Sequence, residues 1–265
     1  MAEQVTRVIL RIAYDGSEFH GFTESDGVRT VAGELRRIVE QVTRTDRVIL
    51  RGASRTDTGV HALDQCVRID AEGTLAPEKL ARAIACLAPE DIEVRSFSPG
   101  SPHFNPSSDA IEKRYVYRLW NSHRASVLGR HRLWAIGQTL DLDAMVRAAK
   151  SLVGTHDFEA FRNRSNGGPE NTIRTIRAIE LRHSLPEVWI QVIGDGFLYR
   201  MVRNIVGMLV EVGRGSAGVA SVGEVLQSRD RTLAGQTAPP HGLHLAQIRY
   251  PGEPECVVDE VPLRF

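Results

Sequence analysis

The chain is poor in several features, and each scarcity removes a class of function. Only three cysteines, Cys66, Cys86 and Cys256, occur in 265 residues. They lie far apart and make no CxxC pair, so neither a disulfide framework nor a zinc site is expected, and reduced thiols in a cytosolic protein suit them. No apolar run approaches the roughly 18 residues of a membrane span. The opening stretch is interrupted by Arg7 and Arg11 and has no signal-type apolar region, so the chain reads as cytoplasmic. Net charge is lacking too: 33 basic residues balance 33 acidic ones. Composition alone therefore does not announce a nucleic-acid partner. No GxGxxG follows the first strand and no P-loop occurs, so nothing points to a nucleotide cofactor. Internal repeats and low-complexity segments are missing.

Lysine is scarce as well. Of the 33 basic residues only Lys79, Lys113 and Lys150 are not arginine, a bias that genome composition accounts for as readily as function does. Its distribution is more informative. From Lys113 to Arg132 there are six basic residues and no acid, which favours a phosphate backbone if they share one face and is otherwise a solvated strand and loop.

Hydrophobic periodicity divides the chain in two. Val8, Leu10, Ile12 and Tyr14 alternate with other residues, so 5–14 reads as a strand. A helix at 30–44 follows, with Val31, Leu35, Ile38, Val39 and Val42 on one face and Thr30 as its cap. Strands at 47–51 and 65–70 flank a loop, Pro77 opens a second helix, and a strand at 92–97 closes this half. Prolines, glycines and serines between Ser98 and Ser108 mark the boundary. The expected domains are therefore 1–105 and 106–265. In the second, 111–120 alternates, Asp141 caps a helix that ends before Gly154, and strands are expected at 172–183 and 187–194. A long buried helix at 198–212, a helix opened by a Ser221/Glu224 capping box, and a strand at 243–250 complete it. Strands and helices alternate without the regularity of a doubly wound sheet, so an α+β sandwich with antiparallel sheet is the expected class.

The segment Arg51-Gly-Ala-Ser-Arg-Thr-Asp-Thr-Gly-Val-His-Ala62 sets one carboxylate, Asp57, two residues after an arginine and two before a glycine. A cationic neighbour favours the carboxylate form, and Gly59 allows a tight turn or close approach to a ligand. Such a group could attack or steady an electron-poor carbon. It could equally make an Asx-turn or a local ion pair with Arg55.

Other segments narrow the choice. R-T-D-T-G-V-H-A resembles the catalytic motif of the tRNA pseudouridine synthase A family. In the same order along the chain, Tyr14-Asp-Gly-Ser-Glu-Phe-His-Gly21 resembles the opening YDGTxFxG element. Lys113-Arg-Tyr-Val-Tyr117 resembles the KxYxY strand, and Gly154-Thr-His-Asp-Phe-Glu-Ala-Phe-Arg162 resembles GxHDFxAFR. Thr172-Ile-Arg-Thr-Ile176 resembles the strand that follows it. Asp195-Gly-Phe-Leu-Tyr-Arg-Met-Val-Arg-Asn-Ile-Val-Gly207 is similar to the family's helix motif.

This resemblance implies a pseudouridine synthase fold: two α/β domains joined through a largely antiparallel central sheet, helices outside, and the active cleft between the domains. It implies a cofactor-free and metal-free isomerisation of uridine in the anticodon stem-loop of tRNA, at positions 38 to 40, by a homodimer. Asp57 would be the essential carboxylate, attacking C1′ or taking a sugar proton. Tyr115 would stack on the base and help move the C5 proton, though it could be an ordinary sheet-face aromatic. Arg203 would pair with the carboxylate, and its place off the apolar face of 198–212, together with Arg200 one turn away, agrees with that. Arg55 would fill the space of the flipped nucleotide or contact phosphate. Thr56, Gly59, His61 and Arg200 join it as candidate substrate contacts. His61 and His156 also invite a general-base reading, but the reaction needs neither, and local structural roles suit them.

Two departures concern recognition rather than chemistry. Phe22-Thr-Glu-Ser-Asp26 stands where the family has Trp-Gln and a further glutamine, and Phe104-Asn-Pro-Ser107 stands for FHAR. The second removes an arginine that would hold a phosphate or anchor the loop. They leave open a different uridine source, such as free uridine, UMP or another RNA. A non-catalytic RNA-binding role fits less well, because binding alone does not need Asp57, Tyr115 and Arg203 together.

Overall fold

A computed structural model describes residues 4–124, 126–164 and 171–253, and Cys256 lies outside them. Among the described residues the chain runs β1 (Val5–Tyr14), α1 (Val31–Thr43), β2 (Val48–Gly52), β3 (His61–Glu72), α2 (Pro77–Leu87) and β4 (Ile92–Pro99). It continues through β5 (Glu112–Asn121), β6 (Trp134–Ile136), α3 (Leu142–Ala149), β7 (Gly154–Asp157) and β8 (Ile173–Ser184). The last elements are β9 (Glu187–Gly194), α4 (Met201–Gly213), α5 (Ser221–Ser228) and β10 (Leu243–Arg249). Two compact units result, 4–111 with 245–253, and 112–244.

In the first unit the alternation of β1 is realised: Val8, Leu10 and Ile12 are buried while Arg7, Ile9 and Arg11 are partly exposed. β1 lies antiparallel between β3 and β4, and β2 pairs with the 67–71 half of β3. α1 presents Val31, Leu35, Ile38 and Val39 to the core, and α2 presents Leu80 and Ile84. Each such side chain contributes about 1.5–3 kcal/mol by leaving water. Thr30 caps α1 as expected, its Oγ1 accepting the Gly33 N–H at 3.2 Å. Pro77 opens α2 at a position where its missing N–H costs nothing.

The second unit is built on β7-β8-β9-β5 with β6 added in parallel to β5; the other pairings are antiparallel. Asp141 caps α3, accepting the Ala144 N–H at 2.8 Å. α4 is the buried helix that the sequence predicts, and its burial extends beyond the apolar face to Arg203 and Asn204. Gly213 lets it approach α3 closely: a Cβ there would stand 2.6 Å from Met145 Sδ.

Several details differ from the sequence reading. β6 and β7 carry too few residues to show a period, and β3 starts earlier than 65. The Ser221/Glu224 capping box does not form: Ala220 is the cap, and Ser221 Oγ turns back to Gly218 O. The two units divide at 111/112 and not at 105/106, and the chain from 245 packs with the first unit. β10 pairs with β3, and two long-range bonds add to the return. Ile248 N–H donates to Asp64 Oδ2 (3.0 Å), and Arg11 Nη1 donates to Ile248 O (2.9 Å).

Candidate active site

The loop joining β2 to β3 carries Asp57 and is held at successive points. Gln65, fully buried in β3, pairs with the Ser54 backbone as a neighbouring strand would: its Oε1 accepts Ser54 N–H (3.1 Å) and its Nε2 donates to Ser54 O (2.7 Å). The buried Thr56 Oγ1 shares a 2.7 Å hydrogen bond with Tyr14 Oη, and Thr56 O accepts the Phe22 N–H. Asp57 O accepts the Val60 N–H at 3.1 Å, closing a turn whose third residue, Gly59, has φ +77. Gly59 N–H donates to Phe19 O. Gly59 thus supplies the left-handed backbone that this turn requires.

The Tyr14–Gly21 segment explains its own glycines. Gly21 has φ +93, and a Cβ there would come within 2.8 Å of Thr56 O; a Cβ on Gly16 would overlap Val60 O. These glycines let the segment press against the Asp57 loop backbone to backbone. Asp57 itself is half-buried, and Arg55 is exposed and enters no ion pair among the described residues. A purely local Arg55–Asp57 pair therefore does not explain the motif.

His61, at the start of β3, is 3 % exposed. Its Nδ1 accepts the Gly16 N–H at 3.0 Å and lies 3.1 Å from Asp15 Oδ1. His156 sits on β7 with Nε2 3.1 Å from Val153 O. Both rings have hydrogen-bond partners close by in the fold.

In the second unit Tyr115 lies in the middle of β5, opposite Val192, and is 7 % exposed. Phe197 meets its ring edge to face at 5.3 Å, a geometry in which ring quadrupoles attract. Lys113, two residues along β5, has its ammonium pushed down to about 8 by burial and secondarily by the nearby Arg174 charge. Tyr117 donates its hydroxyl to Pro239 O at 2.7 Å, and burial raises its phenol well above the ordinary range, partly opposed by Arg203.

Arg203 and Arg200 part company in the structure. Arg203 is on the first turn of α4 and buried, its Nε donating to Ala238 O at 2.8 Å, while its own carbonyl accepts the Ala238 N–H. It does not lie on a polar face, because α4 has almost none. Arg200 precedes the helix in a left-handed conformation (φ 59) with its guanidinium 4.9 Å from the Tyr199 ring centre. It is not one turn along the same helix face; the expected helix start at 198 is a turn closed by Met201 N–H to Leu198 O. A left-handed non-glycine residue costs about 1–3 kcal/mol and is retained where surroundings enforce it.

The two departures from the family pattern are accommodated locally. Phe22 is buried, and its ring covers Gly52 so closely that a Cβ there would overlap it. Glu24 in the exposed acidic stretch pairs with Arg36 Nε at 2.8 Å, which offsets part of its charge. Asn105 forms an Asx-turn, accepting the Ser107 N–H. Arg68 Nη1 donates to Pro102 O and Phe104 O, so an arginine from β3 anchors the segment that has lost its own.

Sequence reasoning missed Gln65, Tyr14, Asn204 and Arg231. Gln65 and Asn204 are polar side chains inside a buried strand and helix, which is a readable signal, whereas Arg231 lies in a polar stretch and shows none; the partners of Gln65 and Asn204 are distant in sequence. Among the described residues no group of three or more His, Cys, Asp or Glu could hold a metal ion, and no helix is long and apolar enough to cross a membrane.

The sequence profile described as tRNA pseudouridine synthase matches residues 11–105 and 148–251. Curated relatives match along almost their whole length. A tRNA pseudouridine synthase A of Acetivibrio thermocellus is 38 % identical over 243 residues, 92 % of this chain and 99 % of that protein. Its counterpart in Shouchella clausii is 38 % identical over 97 % of this chain and 98 % of its own. That of Maridesulfovibrio salexigens is 38 % identical over 94 % and 92 %. The profile passes over 106–147 and so over Tyr115, whose assignment rests on the Lys113–Tyr117 motif.

Proposed function

We propose, from the premise that this chain belongs to the tRNA pseudouridine synthase family, that it is an isomerase converting uridine to pseudouridine in the anticodon stem-loop of tRNA, at positions 38 to 40. The observation that supports this best is the construction of the Asp57 loop. A half-buried acid stands on a turn whose neighbours Ser54, Thr56 and Gly59 are each tied to other segments, which is how a reacting group is held to a fixed position.

In the proposed reaction the C1′–N1 bond breaks, uracil turns, and C1′ bonds to C5; C5 loses a proton and N1 gains one, so mass is unchanged. Asp57 attacks C1′ or removes a sugar proton, and either route uses a carboxylate at an electron-poor carbon. Tyr115 stacks on the base and assists the C5 proton. Arg203 orients the carboxylate through its planar donors. Arg55, exposed beside the loop, fills the place of the extruded nucleotide. Thr56, Gly59, His61 and Arg200 join Arg55 in holding the substrate. The proposed working form is a cytoplasmic homodimer that needs no cofactor.

The departures at Phe22 to Asp26 and Asn105 to Ser107 motivated a different uridine source. Their local compensation by Arg36 and Arg68 favours tRNA. One experiment decides: purified protein is incubated with unmodified tRNA and, separately, with free uridine and UMP, and pseudouridine is sought by derivatisation. Product in tRNA at 38 to 40 is expected. Product only from uridine or UMP would overturn the substrate assignment.

A further inference from the structure

Arg203 has its Nε–H committed to Ala238 O. A guanidinium is planar, so fixing Nε–H fixes the direction of both Nη groups. What holds Ala238 therefore aims Arg203.

Ala238 belongs to an irregular stretch, 235–239, tied to α4 by a compact polar network. Asn204, the residue after Arg203, is wholly buried with both ends of its amide in use. Its Nδ2 donates to Phe161 O (2.7 Å) and Asn163 Oδ1 (2.8 Å), and its Oδ1 accepts from Thr237 Oγ1 (2.7 Å) and Arg231 Nη2 (2.9 Å). Arg231 also donates to Thr237 Oγ1 (2.7 Å), Gly235 O (3.0 Å) and Asn163 Oδ1 (3.3 Å). A Cβ on Gly207, one turn further along α4, would overlap Gln236 O, so stretch and helix touch backbone to backbone. Pro239 O receives the Tyr117 hydroxyl.

Arg231 is an unusual keystone. Among the described residues no carboxylate pairs with it; its acceptors are all neutral. Burial pushes its guanidinium below the usual range. Neutral acceptors hold geometry without placing a carboxylate within this network to compete for the Arg203 donors.

We infer that Arg231 and Asn204 are positioning residues: through Thr237 and the 235–239 stretch they set the direction of the Arg203 guanidinium, and so the rate of isomerisation rather than the affinity for RNA. The inference rests on the proposed role of Arg203. Displacing a catalytic group by about 1 Å can cost up to a hundredfold in rate.

The test uses the full chain and unmodified tRNA. Arg231→Ala and the milder Thr237→Val are each made alone and with Arg203→Ala. Single-turnover rates at saturating tRNA are measured beside RNA dissociation constants. Arg231→Ala should slow turnover about tenfold or more, with affinity within about twofold. Thr237→Val should do the same more weakly, added guanidinium should restore part of the Arg231→Ala loss, and neither change should slow an Arg203→Ala enzyme further. An equal fold-loss in both backgrounds, or a fall in thermal midpoint with no change in rate, overturns the inference. The Arg203 Nε–H resonance supplies a readout that needs no turnover: it should shift in both variants, and an unmoved signal overturns the inference. A wild-type protein that makes no pseudouridine in tRNA, with that signal still responding, would instead remove the proposed function and leave the positioning geometry standing.

Discussion

The Asp57 loop and the Arg203 helix solve one problem, holding a charged side chain still, by opposite means. Around Asp57 there is no regular structure, and side chains from elsewhere take over the backbone pairing that a strand would have provided: Gln65 onto Ser54, Tyr14 onto Thr56. Around Arg203 a regular helix supplies the frame, and the irregular stretch 235–239 is brought to it by Asn204 and Arg231. Glycine enters both, as Gly21 against Thr56 O and as Gly207 against Gln236 O. The lesson is that close backbone approach carries the precision in each region, and polar side chains lock it in place.

The comparison breaks first at the acid itself. Asp57→Asn keeps size and the loop's bonds, so pseudouridine formation in tRNA should fall roughly a thousandfold or more while the thermal midpoint stays near wild type. Normal turnover in that variant would remove Asp57 from the chemistry. Tyr115→Leu comes next. Loss of the stacking face should cost about 1–3 kcal/mol in substrate stabilisation, whereas Tyr115→Phe should retain base binding and lose mainly rate. A Tyr115→Phe enzyme with wild-type rate, beside a Tyr115→Leu enzyme that loses only stability, would reduce Tyr115 to a partner of Phe197.

Stability separates the regions next. Gln65→Leu leaves two Ser54 backbone groups without their clamp and should cost about 1–3 kcal/mol in urea unfolding, with a larger drop in kcat than in tRNA affinity. A stability loss with unchanged kcat would mean that the loop does not depend on the clamp.

The smallest effect concerns Lys113. Its folded pKa of about 8 lies below the usual value of 10.5, so between these pH values the folded state has released a proton that the unfolded state still holds. Stability should therefore rise as pH climbs from 8 toward 10.5 and level off above it. Lys113→Met should flatten that rise in denaturant curves; an unchanged slope would assign it to other groups.

Legibility followed the range of the interaction. The 3.6- and 2-residue periods of α1, α2 and β1, and the caps at Thr30 and Asp141, are written in neighbouring residues and emerge in the structure where expected. β7 is too short to carry a period. Arg200 was placed on a helix it precedes, since nothing local announces a left-handed arginine. The partner of His61, the Gly16 N–H, was not readable, because it lies 45 residues away. Arg203 was singled out by its motif, and its burial came as a correction.

By itself the sequence determined the α+β class, the order of most elements and the segments that identify the family, because these depend on local period, capping and ordered motifs. The tertiary structure alone decided the rest. It drew 245–253 back to the first unit, placed Gln65 and Tyr14 on the Asp57 loop, substituted Arg68 for the anchor missing after Phe104, and gave Arg203 its hold on Ala238. Those are hydrogen bonds and backbone contacts between residues far apart in the chain, and only folding brings such partners within reach.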